Sequence, residues 1–279
     1  MTKNTKKLTP GGAILNVVLW IMSIGFLYPV IWLFYSAMKT KTEFNLNSIA
    51  LPKHPTLDNF KNVFTITNIP LYMGNSFLVT AVAIVGILLI SFIMGYFLSR
   101  FDFKGKTTIF TVLLIGMLIP QHSLMVPITI IFTKLGLTDH RLTLVLPYIA
   151  FQLPIGVYLV ESYVRSIPKE MEEAAAIDGA SFNYTLFNII LRMTTPVLST
   201  VAIISFFACW NEFIFALILT TKSNLRTLQL GLTAFKGSYS ANYPMIMASM
   251  FIGILPALIL FVFGSKKIMD GMVVGAVKG

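Results

Sequence analysis

The sequence predicts an all-α membrane protein with six crossings, on three grounds. It is too apolar for water: of 279 residues, 56% are hydrophobic and 11% charged, against about 45–50% and 25% in soluble domains. Its charges are clustered, which leaves six uncharged runs at 8–38, 62–99, 107–133, 142–160, 193–211 and 237–265. None of those runs alternates apolar with polar residues as a barrel strand would. Backbone polar groups facing lipid must be satisfied inside the segment, so the runs are helices.

Each run nears or exceeds the roughly 20 residues that cross a bilayer core. Helices are expected near 12–38, 74–98, 108–133, 141–164, 196–219 and 243–264, with a polar connector at 165–195 and a tail at 265–279. The first run follows Lys3, Lys6 and Lys7, but it is longer than a signal peptide's apolar region and no small-x-small cleavage site follows, so it reads as an uncleaved span. The third run is interrupted by Pro120 and Pro127, the fourth by Pro147 and Pro154, and the sixth by Pro256. Each proline removes a backbone donor and kinks its helix, which membrane proteins tolerate where neighbours or a cavity satisfy the freed carbonyls. With the amino terminus inside, the inner segments hold twelve Lys and Arg and the outer segments nine, which places both termini in the cytoplasm. No linker, low-complexity tract or repeat divides the chain, so one membrane domain is expected.

Composition also excludes several functions. The single Cys209 rules out a disulfide framework and a Cys-based metal cage. His54, His122 and His140 are scattered, and no metal site is expected. A net charge of +10 in so apolar a chain belongs to loops facing lipid headgroups rather than to a nucleic-acid surface. No catalytic residues are assigned, because no nucleophile and base fall together in the apolar runs.

The connector is the most informative segment. It reads RSIPKEMEEAAAIDGASFNYTLFNIILRMTTP and holds Glu170, Glu172, Glu173 and Asp178, four of the chain's eleven acids. Pro168 suits a first helical turn and the acids suit a helix amino end. Gly179 then breaks the helix, and Phe182, Leu186, Ile189 and Ile190 resume at helical spacing. A helix–turn–helix lying on the inner membrane surface follows, with Ala174, Ala175 and Ala180 as a small face that could enter a partner's groove. On residues alone, a solvated connector is an equal alternative.

EAAAIDGAS followed by IIL resembles the Glu-Ala-Ala signature of ATP-binding cassette importer permeases. Glu173, Ala174, Ala175, Asp178, Gly179, Ile189 and Leu191 match it; Arg192 stands where that family has proline, and Pro196 follows four residues later. CWNEFIFALILT at 209–220, MVVGAVKG at 272–279, NSFLVTAV at 75–82 and IPQHSLMVP at 119–127 are similar to the carbohydrate-type members, the maltose-transporter G-subunit and multiple-sugar permeases. The resemblance implies a type I importer permease fold. It implies a second homologous permease, two ATPase subunits that bind ATP and Mg, an extracytoplasmic sugar-binding protein, and a bacterial cytoplasmic membrane. The substrate implied is a sugar, an oligosaccharide of the raffinose or multiple-sugar kind. The ATPase-coupling residues would be Glu172, Glu173, Ala174, Ala175, Asp178, Gly179 and Ala180. A second ATPase contact would come from Gly275, Ala276, Val277, Lys278 and Gly279. This chain has no GxxxxGK[ST] sequence, so it is not expected to bind ATP in a P-loop or to be an enzyme.

Glu212 is the acid placed deepest in an expected span. Intramembrane acids face a cavity or a partner, so Glu212 either lines a substrate path or ties the bundle together. With Trp210, Asn211 and Phe213 it resembles a sugar site of aromatic faces and hydrogen-bonding groups; Gln121 and Asn75 are further candidates for that path. The competing function is a self-contained secondary transporter, which usually carries several intramembrane carboxylates or histidines for ion coupling.

Overall fold

The computed structural model describes residues 10–235 and 242–276. Among them every regular element is helical. Four helices are long and apolar enough to cross a bilayer, over Ile14–Ala37, Ile69–Arg100, Val145–Ser166 and Tyr243–Gly264. Two bent pairs pass the same test: Lys106–Gly116 with Gln121–Lys134, bent by 97°, and Phe182–Met193 with Thr195–Trp210, bent by 68°. Counting each pair once gives the expected six.

The elements are α1 (Pro10–Ala37), α2 (Lys41–Leu46), α3 (Asp58–Ile66), α4 (Ile69–Arg100), α5 (Lys106–Gly116), α6 (Met125–Lys134) and α7 (Val145–Ser166). After these come α8 (Glu170–Ile177), α9 (Phe182–Met193), α10 (Thr195–Trp210), α11 (Ile214–Leu219), α12 (Leu228–Leu232) and α13 (Tyr243–Ala276). The chain divides into two compact units, Met1–Asn68 with Leu232–Leu255, and Ile69–Gly231 with Pro256–Gly279.

In the first unit, α1 leaves its apolar side chains exposed from Ile14 to Phe34, as a lipid-facing span does. Its end is held by a polar cluster. Lys39 Nζ donates to the carbonyls of Asn47 and Ser48, each at 3.0 Å, and lies 5.3 Å from the Tyr35 ring centroid. Asn59 Nδ2 donates to the carbonyls of Ala37 and Lys39, both at 2.8 Å, which anchors α3. Phe34 meets Phe251 at 4.9 Å between ring centroids.

The second unit is built on α4 and α7, the most extensively packed pair. Gly95 permits their approach: a Cβ there would lie 2.7 Å from Val160 Cγ1 and 3.0 Å from the Glu161 amide nitrogen. Small residues at such crossings let membrane helices pack by dispersion.

Hydrogen bonds between distant segments show that each bent pair counts once. At one end of this unit, Asn75 Nδ2 donates to the carbonyls of Asn224 and Arg226 at 2.9 and 3.0 Å. The Leu228 amide donates to Ser76 Oγ at 2.8 Å. Asp139 joins the same end by accepting from the Thr221 and Lys222 amides at 2.6 and 3.0 Å and from the Thr221 hydroxyl. At the other end of α4, Tyr96 and Arg100 meet Ile167 and Glu172. The chain therefore runs from Arg100 to Asp139 in one net crossing through α5 and α6. It returns through α7, and goes across again through α9, α10 and α11.

The structure refines three sequence expectations. The third span is broken rather than smoothly kinked: helix stops at Gly116, and Pro120 caps a short 3-10 turn before α6, which leaves at 97°. The span expected at 196–219 stops at Trp210 and resumes at Ile214. The last span falls at Tyr243–Gly264 as expected, and its helix runs on through the expected tail to Ala276. Gly275 and Ala276 thus close α13, whereas Val277, Lys278 and Gly279 lie outside the described residues.

The Asp139 clasp gives a pH prediction. The Thr221 hydroxyl first, and then the Lys222 amide, hold the Asp139 carboxyl below its usual pKa. A depressed folded-state pKa adds stability that is present above the unfolded value near 4 and lost as pH falls through the folded value. Asp139→Asn keeps a residue suited to its φ of 58° and removes the charge. In detergent, the wild-type thermal midpoint should fall more steeply than the variant's below about pH 4; parallel profiles would show that the clasp contributes nothing.

Candidate functional site

The connector folds as the helix–turn–helix its sequence predicts. α8 spans Glu170–Ile177 and ends in a left-handed turn at Gly179, φ 80°. The Gly179 amide donates to the Ala176 carbonyl at 3.1 Å and the Ala180 amide to the Ala175 carbonyl at 2.9 Å, the pair of bonds that satisfies a helix end of this kind. Ser181 then caps α9, its hydroxyl accepting from the Tyr184 amide at 3.3 Å. Residues Thr185–Ile190 form a π-helical stretch. The bend to α10 falls at Thr194, with Pro196 in the first turn beyond it; with Arg192 in a helix, Pro196 is the proline at the break.

The coupling candidates divide between two faces. Ala175 is buried within the chain, Ala180 is half-buried, and Glu173, Ala174, Asp178 and Gly179 are exposed. The expected face of small residues is therefore split, because positions 174 and 175 are about 100° apart around a helix. Ile177 stands out beside the exposed group, 86% exposed. Glu172 turns inward, where it accepts from Tyr96 Oη at 2.7 Å and from Arg100 Nε at 2.5 Å. Arg100 and Tyr96 were missed in the sequence. Their one visible signal is a cation and a phenol one helical turn apart at the end of an uncharged run.

The substrate-path candidates divide as well. Gln121, Asn211, Glu212 and Phe213 line a cavity of about 370 Å³, together with Tyr148, Phe151, Gln152 and Phe207. Trp210 does not line it: it is 1% exposed and stacks on Phe206 at 5.5 Å and 12°. Asn75 is occupied by the 224–226 carbonyls at one end of α4. Glu212 lines the cavity but is engaged on both oxygens. Oε1 accepts from the Phe215 amide at 2.7 Å, and Oε2 from Tyr148 Oη at 2.9 Å and the Ala216 amide at 3.2 Å. It caps α11, where helix amides otherwise lack partners, and ties α11 to α7. The other lining residues include Gln121, Gln152 and Asn211, which carry amides, and Phe151, Phe207 and Phe213, which carry rings. Among the described residues no cluster of His, Cys, Asp and Glu could hold a metal.

A helical membrane unit with a cavity lined by aromatic rings and a few amides, and with a capped helix–turn–helix at one end, suits a transporter's membrane component. The chain belongs to the family of binding-protein-dependent transport system inner membrane components, whose model matches residues 87–265. It is a membrane permease subunit of an ATP-binding cassette transporter that works with a binding protein. The chain is 37% identical over 252 residues to the putative ABC transporter permease protein ORF2 of Caldicellulosiruptor sp. (strain Rt8B.4), covering 90% of this chain and 91% of that one. It is 33% identical to the trehalose/maltose transport system permease protein MalG of Thermococcus litoralis, covering 93% and 94%. Its fold matches a chain of a bacterial ABC transporter that imports the acidic polysaccharide alginate, with TM-score 0.79 at 22% identity over 94% and 99% of the two chains.

Proposed function

We propose that this chain is one of two homologous permease subunits of a bacterial sugar importer, and that it moves an oligosaccharide inward by alternating access. Two ATPase subunits, which bind the ATP and Mg, drive it, and an extracytoplasmic binding protein delivers the sugar. The observation that carries the ATPase part is α8: a capped helix whose outer face combines Glu173 and Asp178 with the bare Ile177 side chain. Glu173, Ile177 and Asp178 are the side chains that a partner lying along α8 and its turn would meet. The carboxyl end, 275–279, is the second ATPase contact in this reading. Both termini lie in the cytoplasm, on the side of α8, as the surplus of Lys and Arg supports.

Two observations support the sugar. The cavity offers amides and aromatic faces, which suit hydroxyl-rich rings. Relatives are named for trehalose and maltose and for arabinooligosaccharides; the raffinose or multiple-sugar kind is the class that fits. The test is uptake of labelled oligosaccharides by the full complex in proteoliposomes. Uptake should require internal ATP, the ATPase subunits and the binding protein, and should not respond to a proton or sodium gradient. Uptake driven by an ion gradient alone would replace this reading with a secondary transporter.

A further inference from the structure

The inner ends of α4 and α8 lie far apart in sequence and are bound together. Arg100 Nε and Tyr96 Oη fill both carboxylate oxygens of Glu172, and Arg100 Nη2 also donates to the Ile167 carbonyl at 2.8 Å. The Arg100 side chain is 6% exposed and that of Glu172 19%. One guanidinium thus bridges the strap before α8 and α8 itself, with the forked geometry that arginine provides. Beyond the Gly179 turn, the Phe182 ring lies 6.2 Å from both Tyr96 and Phe97 and 6.3 Å from Phe101. Both arms of the helix–turn–helix are therefore fastened to the end of α4.

A buried ion pair is weak support for stability, but it fixes geometry, and breaking it leaves a charge without its partner. The covalent route out of the loop is not one continuous α-helix. It passes through the π stretch Thr185–Ile190 and the 68° bend at Thr194, features that mark hinges and kinks in helices. α4, by contrast, is one helix of 32 residues without an internal break. Its far end holds the segment 224–228 through Asn75 and Ser76. From Asn75 to Arg100 it spans about 37 Å at 1.5 Å per residue.

We propose that Arg100, supported by Tyr96, is the positioning residue that locks the coupling loop to α4, so that displacement of the loop reaches the segment 224–228 at the opposite end. The proposal rests on α8 being the ATPase docking element, and it adds the route by which docking moves the membrane part. The lock makes the loop and α4 one moving body; the α9–α10 bend takes up the difference.

The test uses the complete transporter in proteoliposomes, with bound ATPase, ATP hydrolysis and sugar uptake measured together. Arg100→Met and Glu172→Gln should keep the ATPase subunits bound and hydrolysing, while uptake per ATP falls on the order of tenfold. The double variant should be no worse than either single one, because both remove the same pair. Arg100→Lys should restore part of the loss by retaining the charge. Unchanged uptake per ATP in Arg100→Met, or additive losses in the double variant, overturns the proposal. If Arg100→Met fails to assemble, Phe101→Cys with Phe182→Cys keeps the pair and allows a short thiol cross-link; the native Cys209 is buried. Transport that continues after cross-linking supports one moving body, and arrest relieved by reduction overturns it. ATPase subunits that stay bound and active in the double variant Glu173→Arg, Ile177→Glu overturn the docking reading itself and the lock with it. With docking sensitive to those changes, a normal ratio in Arg100→Met overturns the lock alone.

Discussion

Gly179→Val should abolish coupled transport, whereas Gly179→Asn should keep most of it. The position has φ 80°, and an added Cβ meets no atom within 4 Å, so the penalty is in the backbone and not in packing. A left-handed conformation costs an ordinary L-residue roughly 1–2 kcal/mol, and asparagine less because its side chain bonds locally. Valine is branched at Cβ and adapts worst. The two bonds that close α8, from the Gly179 and Ala180 amides, are each worth about 0.5–1.5 kcal/mol net, and they are lost if the turn relaxes. Their loss loosens α8 from α9 at the turn, and in the proposed docking Glu173 and Ile177 would then leave the orientation that the ATPase requires. Membrane insertion does not depend on this turn and should be unaffected. The measurement is sugar uptake and ATPase co-purification for both variants at equal expression. A valine variant that transports as well as the asparagine variant would show that the turn does not set the docking geometry.

Much of this architecture is legible in the sequence, because a bilayer imposes one dominant rule. Uncharged runs mark spans, and Glu170 to Ile177 with Gly179 marks a helix and its stop. What the sequence hides depends on direction or on pairing. The pattern Trp210, Asn211, Glu212, Phe213 looks like one site, yet α10 ends at Trp210 and α11 begins at Ile214. Across such a break, consecutive side chains no longer follow a helical period, so Trp210 goes into the core while Asn211 and Phe213 reach the cavity. Gln152 was legible in principle, as an amide between Phe151 and Leu153 in an apolar run. The Arg100–Glu172 pair joins segments separated by two crossings, which no local spacing encodes. Prolines at 120 and 127 announced an irregular third span, but not the 97° break between α5 and α6.

Glu212 is expected to act as a structural cap, and its variants should separate stability from affinity. Three donors converge on its carboxylate, from the Phe215 and Ala216 amides and Tyr148 Oη. Glutamine offers one accepting oxygen and one NH2 group. If its oxygen turns toward Tyr148 and Ala216, the NH2 group opposes the Phe215 amide; if it turns the other way, the Ala216 amide is left bare. Either orientation leaves one buried donor unsatisfied, at a cost of about 1–3 kcal/mol. Alanine removes all three acceptor contacts and also loosens α11 from α7. Glu212→Gln and Glu212→Ala should therefore lower the thermal midpoint of the assembled complex, alanine by more. The sugar affinity of the complex that remains should stay near wild type. Asn211→Ala and Gln152→Ala should do the reverse, because both residues line the cavity and the cap does not need them. Their midpoints should hold while affinity weakens by about tenfold, the ~1.4 kcal/mol of a neutral hydrogen bond. The decisive comparison is thermal unfolding against sugar binding for all four variants. A Glu212→Gln complex with an unchanged midpoint and weakened binding would assign the carboxylate to the sugar and leave the cap without a role.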